Sequence, residues 1–521
     1  MKQVIKKIAG LTKKQWFLVS LIVIAFFTRF YNLEDTVQFL GDQGRDAFLV
    51  SRIFTDADPV FIGPVTSVGN MYLGPLYYYF MLPFLWLSYP SPMGPVYAVA
   101  GLGVLTVYLM YKLGREMLGE KTALVATALY TICTTVIVYT RFSWNPNPAP
   151  LLSLIMMWAI YRAIKKNPWY WVVVTSMFAA LIQLHYITLL SGVSFGLFWM
   201  YHLFSLLRSK SKKRNIQLRL FGLATMVSAI LGVASTIPLM LFDWKHDWLN
   251  VKAFENLLFG EDNFKVATHQ GNRALRAVKE SQGRAMHMLF EITIGKIRNL
   301  NEFMLLVVLG GVGYVASQWK KREHAFGEVI ITVFMVVAVL GTAVYEHSVY
   351  DHYVAYIFPV TFFIIGMLLV EAWKKGIIGK VAAVGFVGYY TFFNLSTLQL
   401  GDTGWKLSDI KRTSDAIAER VRPGEKYNIV LLSETGDIDG QNYRYFLSTT
   451  ETSPDMTEER GSVETLFIIN EDRALEKVTD SPVYEIVVFP DKEPKEVFEI
   501  PGGPEITMLR KSNDTPEVPN E

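Results

Sequence analysis

One cysteine in 521 residues, Cys133, leaves no intrachain disulfide possible. It lies inside an apolar run and reads as a small buried hydrophobe. Net charge is nearly missing as well, at +3. That total says little, because the asymmetry of sign lies along the chain, and no nucleic-acid partner is expected. No internal repeat is visible. No small-x-small cleavage site follows the first apolar run, where Thr28-Arg29-Phe30-Tyr31 is bulky. The lysine-led N-terminus therefore reads as an uncleaved first transmembrane helix and not as a signal peptide.

What the chain does hold is apolar surface. Hydrophobic residues make up 51% and aromatic residues 14%, and mean hydropathy is +0.27. A spanning helix needs about 20 mostly apolar residues. Segments that meet this lie at 16–33, 95–112, 122–140, 148–163, 169–185, 187–207, 218–241, 302–319, 325–345, 352–373 and 377–395. A further run, 72–89, is apolar and aromatic.

The distribution of Lys and Arg decides whether 72–89 spans. The N-terminal tail carries Lys2, Lys6, Lys7, Lys13 and Lys14. Later basic connections hold Lys112, Arg115 and Lys121, then Arg162, Lys165 and Lys166, then the stretch 208–214, Lys320–Arg322, and Lys374 with Lys375. The connections between them, 141–148, 185–191 and 346–351, are nearly free of Lys and Arg. Every basic connection falls on the side of the N-terminal tail only if 72–89 does not cross. Its Gly74, Pro75, Pro83 and tyrosines suit an interfacial or re-entrant helix on the outer face.

The fold class expected is a polytopic α-helical membrane protein. It has about 11 transmembrane helices, an outer interfacial helix, and a small C-terminal α/β extracytoplasmic domain. The membrane domain covers 1–400, with outer segments at 34–94 and 243–300, the second amphipathic around 274–297. The C-terminal domain covers 401–511, with strand-like stretches at 427–432, 465–469 and 483–489 and helical patterns at 408–421 and 438–447. A polar, disordered tail is expected over 512–521. The N-terminus is then cytoplasmic, the C-terminal domain extracytoplasmic, and the chain integral to the plasma membrane.

This topology gathers the unusual polar residues on the outer face. They are Asp42, Arg45, Asp46, Arg52, Arg141, Asn145, Asn147, His185, Glu346, His347, Asp351 and His352. Acids and cations converging at a bilayer surface are costly and mark a site. Glycosyl transfer from a lipid-linked sugar phosphate needs a carboxylate to take the acceptor proton, cations or a metal for the departing phosphate, and a greasy groove for the lipid. Asp42 and Asp46, four residues apart, fill the first role if the segment is helical. Arg45, Arg141 and His352 fill the second, and the aromatic run fills the third. Tyr72, Tyr78, Asn145, Asn147, His185 and Asp351 are candidate substrate contacts. Each has a plainer reading. Asp42 can cap a helix with Gly41 as the turn before it. Arg141 can snorkel. Trp144 and His185 can be interfacial. His347, Asp351 and His352 can form a hydrogen-bonded cluster instead of a metal site. No metal is assigned, although a divalent ion is possible.

Four stretches in order carry a resemblance. They are Gly41-Asp42-Gln43-Gly44-Arg45-Asp46-Ala47, then Asn70-Met71-Tyr72-Leu73-Gly74-Pro75-Leu76-Tyr77-Tyr78-Tyr79, then 113–121, then Tyr139-Thr140-Arg141-Phe142-Ser143-Trp144-Asn145-Pro146-Asn147. Together they resemble the GT-C superfold of membrane glycosyltransferases. The nearest groups are the bacterial dolichyl-phosphate-mannose-protein mannosyltransferases and the aminoarabinose transferases. The resemblance covers roughly residues 10–400. It implies a polyprenyl-phosphate-linked sugar as donor, transfer on the outer face, and inversion at the anomeric carbon. The acceptor would be a lipid, a glycan or a protein. Asp42 falls on the Asp of the group's first-loop Asp-Glu pair, and Gln43 stands where the Glu would be. In the next outer loop the prolines are kept, and asparagine replaces the acid. The alternative function is a transporter or flippase of lipid-linked glycans. It expects charges deep within spans, and the apolar runs hold few. A non-catalytic scaffold leaves the paired acids unexplained.

Overall fold

The computed structural model describes residues 12–66, 71–259, 273–296, 300–343, 348–401, 404, 406–454, 463–471, 473 and 477–512. Among these, six helices are long and apolar enough to cross a membrane: Met93–Leu118, Tyr186–Arg208, Arg214–Lys245, Ala325–Ala343, Asp351–Trp373 and Gly376–Thr397. Tyr170–Leu184 and Phe303–Ser317 are shorter and apolar. These are the helices of an integral membrane protein. The expected first span is the helix Lys13–Phe30, which carries Lys13, Lys14 and Arg29. The run at 148–163 is the helix Ala149–Lys165.

The stretch expected to be one span at 122–140 is broken. Helix Glu120–Ile132 ends at Cys133, which is extended, and Thr134–Val138 resumes. A break in an apolar setting must have its freed backbone groups satisfied by neighbours. Asn394 supplies them: its Oδ1 accepts the Thr134 amide at 2.7 Å, and its carbonyl accepts the Thr134 hydroxyl at 2.6 Å. Thr135 donates to the Ile292 carbonyl at 2.9 Å. The aromatic run 72–89 forms the helix Leu76–Ser88 of 13 residues. At about 1.5 Å per residue it is roughly 20 Å long, short of a ~30 Å hydrocarbon core.

The opening motif is itself helical, Gly41–Thr55. Gln43 fixes its start, because Gln43 Oε1 accepts the Leu40 amide at 2.9 Å. Gly41 is therefore the first residue of a helix and not a turn. Asp42 sits in the first turn, where a negative charge suits the helix dipole.

The C-terminal domain has a four-stranded sheet: β1 (Tyr427–Leu432), β2 (Thr465–Asn470), β3 (Pro494–Glu499) and β4 (Glu505–Arg510), in spatial order β1-β2-β4-β3. β1 and β2 run parallel, and β4 is antiparallel to both β2 and β3. Alternation along β1 and β2 divides their apolar side chains between two faces. Tyr427, Ile429, Leu431, Phe467 and Ile469 join the core shared with the membrane helices. Val430, Leu466 and Ile468 join a second core with Ile486 and Phe489. The stretch 483–489, expected as a strand, is the short helix Tyr484–Val488 covering that second face. A short apolar run has no period that separates strand from helix, and here the sheet positions are taken by β3 and β4. The helical patterns at 408–421 and 438–447 are the helices Leu407–Ala418 and Gln441–Leu447. The amphipathic stretch begins as the helix Arg273–Met286 and continues through a π-helical turn, His287–Glu291, to Ile294. The expected tail lies outside the described residues from 513 on.

Candidate active site

The helix Gly41–Thr55 presents Asp42, Arg45 and Asp46 on adjacent positions of one face. Arg45 lies between the acids. Its Nη1 donates to Asp42 Oδ1 at 2.8 Å, while Nε and Nη2 donate to Asp46 Oδ1 at 3.0 and 2.8 Å. The Tyr78 hydroxyl donates to the same Asp46 oxygen at 3.1 Å. The environments of the two acids differ sharply. The Asp42 side chain is 46% exposed and that of Asp46 is 1% exposed. Burial pushes the Asp46 carboxyl above the usual carboxylate range, against the pull of Arg45 and Tyr78. Burial works against the Arg45 charge too, but Asp46, Tyr78 and Asp42 outweigh it and raise its pKa. Asp42 is thus an accessible carboxylate on a rigid mount, and Asp46 is part of the mount. A guanidinium has five N–H donors. Three are spent on the acids, which leaves Arg45 with two.

Glycine positions this helix. A Cβ on Gly44 would lie 2.5 Å from the Asn442 Cα and amide nitrogen, and one on Gly41 would strike the Asp437 carboxylate. The helix Gln441–Leu447 of the C-terminal domain therefore rests directly on the motif helix. Asn442 Nδ2 donates to the Phe39 carbonyl at 3.4 Å, Tyr445 donates to the Pro90 carbonyl at 2.9 Å, and Phe39 packs on Tyr445 and Phe446. The sequence carried a signal for this contact: two glycines three apart share one helical face, and neither is needed for a turn.

A second group lies beside the first. The His352 ring sits 4.4 Å from the Trp144 ring, 6.1 Å from His185, and stacks on Tyr350 at 9°. Asp42 is near enough to act electrostatically on His352. Loops 139–147, 185–188 and 350–353 thus meet next to the motif helix, with Tyr77 tying the aromatic helix to Ser143 at 2.7 Å. His185 Nδ1 accepts the Ile187 amide at 3.2 Å, and burial, then the nearby His352, lowers its pKa to about 3. Its ring meets His352 edge-on and lies 4.5 Å from the Tyr353 ring at a tilt. Asp351 faces His287 Nε2 at 3.3 Å, and His287 Nδ1 meets Glu291 at 3.2 Å. His287 and Glu291 went unremarked in the sequence, although their spacing of four on one helical face pointed to a pair.

Other expected contacts are turned to structural work. Arg141 Nη1 donates to the Thr28 carbonyl at 2.7 Å, and Nη2 to the Tyr31 and Asn32 carbonyls at 3.0 and 3.4 Å and to the Thr36 hydroxyl. It closes the carbonyl end of the first helix, a place where cations are favoured. Asn145 Nδ2 donates to the Leu184 carbonyl at 2.5 Å and Asn147 Nδ2 to the Phe142 carbonyl at 2.7 Å. Tyr72 is clamped by its backbone: its amide donates to Asn250 Oδ1 at 2.7 Å, and its carbonyl accepts the Tyr186 hydroxyl. Glu346 and His347 lie outside the described residues. Among the described residues no three His, Cys, Asp or Glu side chains are placed to hold a metal.

The profile of the dolichyl-phosphate-mannose-protein mannosyltransferase family matches residues 74–237. Among solved structures, ArnT from Cupriavidus metallidurans bound to undecaprenyl phosphate aligns with a TM-score of 0.57 at 13% identity. The alignment covers 95% of this chain and 98% of that one. The chain has the GT-C fold. A second protein of GT-C fold, the archaeal oligosaccharyltransferase AglB from Archaeoglobus fulgidus in complex with an inhibitory peptide and a dolichol-phosphate, aligns with a TM-score of 0.51. Its identity is 12%, over 88% of this chain and 70% of that one. No curated protein sequence matches the chain.

Proposed function

We propose that this protein is a membrane glycosyltransferase that moves a sugar from a polyprenyl-phosphate-linked donor to an acceptor hydroxyl or amide on the extracytoplasmic face. The observation that carries the reading is the Asp42–Arg45–Asp46 arrangement within a GT-C fold: an exposed carboxylate held by a cation that is itself anchored on a buried acid. Asp42 acts as general base. It takes the proton of the acceptor as the acceptor heteroatom attacks the anomeric carbon. The anomeric carbon–oxygen bond to phosphate breaks in the same step, its electron pair leaves with the polyprenyl phosphate, and the configuration inverts. The two remaining Arg45 donors meet the departing phosphate. Asp46 and Tyr78 hold Arg45 and do not touch substrate. The family match and the ligand of ArnT support the donor class. The mannosyl, aminoarabinosyl and oligosaccharyl transfers named for the similar proteins define the sugars to try first.

The test is transfer from radiolabelled polyprenyl-phosphate sugars by the purified protein in lipid. Wild-type protein should release polyprenyl phosphate and label an acceptor with at least one donor. Asp42→Asn should fold and insert but not transfer. Wild-type rates in Asp42→Asn would refute the assignment of the base.

A further inference from the structure

The far side of the molecule holds a second lipid-facing feature that the chemistry of transfer does not use. Helices Glu120–Ile132, Phe358–Trp373 and Gly376–Thr397 enclose a cleft of about 660 Å³. Its walls are apolar, with Leu124, Val125, Leu369, Val384 and Val387. Gly388 lines it, with open space where a side chain would stand. Val384 is 60% exposed, so the cleft opens sideways to the lipid.

Charge is confined to one end of this cleft. Lys121 and Lys374 line it there, and Lys380 lies 5.8 Å over the ring of Trp373, also in the lining. Lys374 is bonded to Glu371 at 2.7 Å, and Glu371 is shared with Arg322, so this group is internally neutralised. Lys121 and Lys380 have no ion-pair partner among the described residues, and no carboxylate lines the cleft. All three lysines sit at helix ends on the side that the charge bias assigns to the cytoplasm, and the inference rests on that topology. An apolar slot between transmembrane helices, closed by unpaired lysines and an interfacial tryptophan at headgroup level, has the chemistry to hold an anionic lipid.

We propose that this cleft binds an anionic phospholipid of the cytoplasmic leaflet. The acyl chains lie along Val384, Val387 and Leu124, and the phosphate lies between Lys121 and Lys380. Two unpaired cations favour a headgroup with net negative charge over a zwitterionic one, whose own ammonium would meet the lysines. The site is separate from the donor chemistry, which the same topology puts on the opposite face.

The experiment uses the full-length protein in phosphatidylcholine nanodiscs with a trace of photoreactive phosphatidylglycerol, and crosslinks are mapped by peptide mass spectrometry. The expected result is labelling of peptides containing Leu124–Val125 and Val384–Val387. Excess phosphatidylglycerol should suppress it at least several-fold, and added phosphatidylcholine should not. Lys121→Gln with Lys380→Gln should lose that preference, and Lys121→Arg with Lys380→Arg should keep it. Absence of label at these positions, equal competition by phosphatidylcholine, or stronger competition by polyprenyl phosphate would each overturn the proposal. None of these readouts depends on sugar transfer.

Discussion

Gly44 of the motif helix lies flat against Asn442 of the C-terminal domain, too close for any side chain between them. The helix that carries both acids is therefore held from the membrane side by Tyr78 and from the other side by the C-terminal domain. The two parts share one apolar core, which includes Ala47 and Val50 of the motif helix and Tyr445 and Phe446 of the C-terminal domain. The candidate base belongs to neither part alone.

Gly44→Ala is expected to separate the two parts. The added methyl meets backbone, which cannot turn away as a flexible side chain can. Limited proteolysis should cut the C-terminal domain faster, and transfer should fall by at least tenfold. Gly196→Ala is the matched control, since nothing lies within 4 Å of its new Cβ. It should leave transfer unchanged and stabilise its helix by about 0.5–1 kcal/mol.

The two acids should respond in opposite ways to neutralisation. Asp42 is exposed and its ion pair is worth at most about 1 kcal/mol, so Asp42→Asn should barely move the unfolding midpoint. Its transfer rate should fall by roughly 10²–10⁴-fold. Asp46→Asn removes a buried partner of Arg45 and should cost on the order of 2–3 kcal/mol, the low end because Arg45 is a quarter exposed. Thermal unfolding and single-turnover transfer on both variants check the split. If Asp46→Asn silences transfer with no loss of stability, the roles are reversed.

Arg141→Lys should act through stability. A lysine has one nitrogen, and the fork that reaches Thr28, Tyr31 and Asn32 together is lost. A loss of about 2 kcal/mol is expected from two or more bonds at about 1 kcal/mol each. The KM for the donor should stay as in wild type. A raised donor KM at unchanged stability would return Arg141 to the phosphate.

His185 predicts a pH dependence. Burial, then His352, lowers its pKa to about 3 in the folded protein, against about 6.5 for a free imidazole. The unfolded chain then takes up the proton first as pH falls. The contribution of His185 to stability is full above about 6.5 and is lost progressively toward pH 3. Unfolding midpoints from pH 8 to 4.5 should decline less steeply in His185→Gln than in wild type. Parallel curves would show that His185 titrates normally.

Much of this was legible in the residues. Apolar runs of membrane length identify most of the helices because a chain crossing hydrocarbon satisfies its backbone polar groups internally by forming a helix. The charge pattern of the connections is the basis for expecting residues 42–46, 185 and 352 on one face, while the meeting of His352 with Trp144 and His185 is visible only in the structure. The break at Cys133 was not legible. It depends on Asn394, some 260 residues away, whose side-chain Oδ1 and main-chain carbonyl both accept from Thr134. Nor was the helical state of 484–488, since a short apolar stretch packs equally well as strand or helix until the neighbouring strands are known.

By itself, then, the sequence determined a polytopic membrane helix array, an α/β domain after residue 400, and a carboxylate-rich motif just past the first apolar segment. Only the tertiary structure decided which acid is exposed and which is buried. Asp42 and Asp46 are the same residue type four positions apart, and nothing local distinguishes them. The difference arises because Tyr78 and Arg45 enclose Asp46, while the docking of Asn442 on Gly44 fixes the helix rotation that leaves Asp42 at the surface. Exposure is a property of what packs around a side chain, and those partners come from elsewhere in the chain.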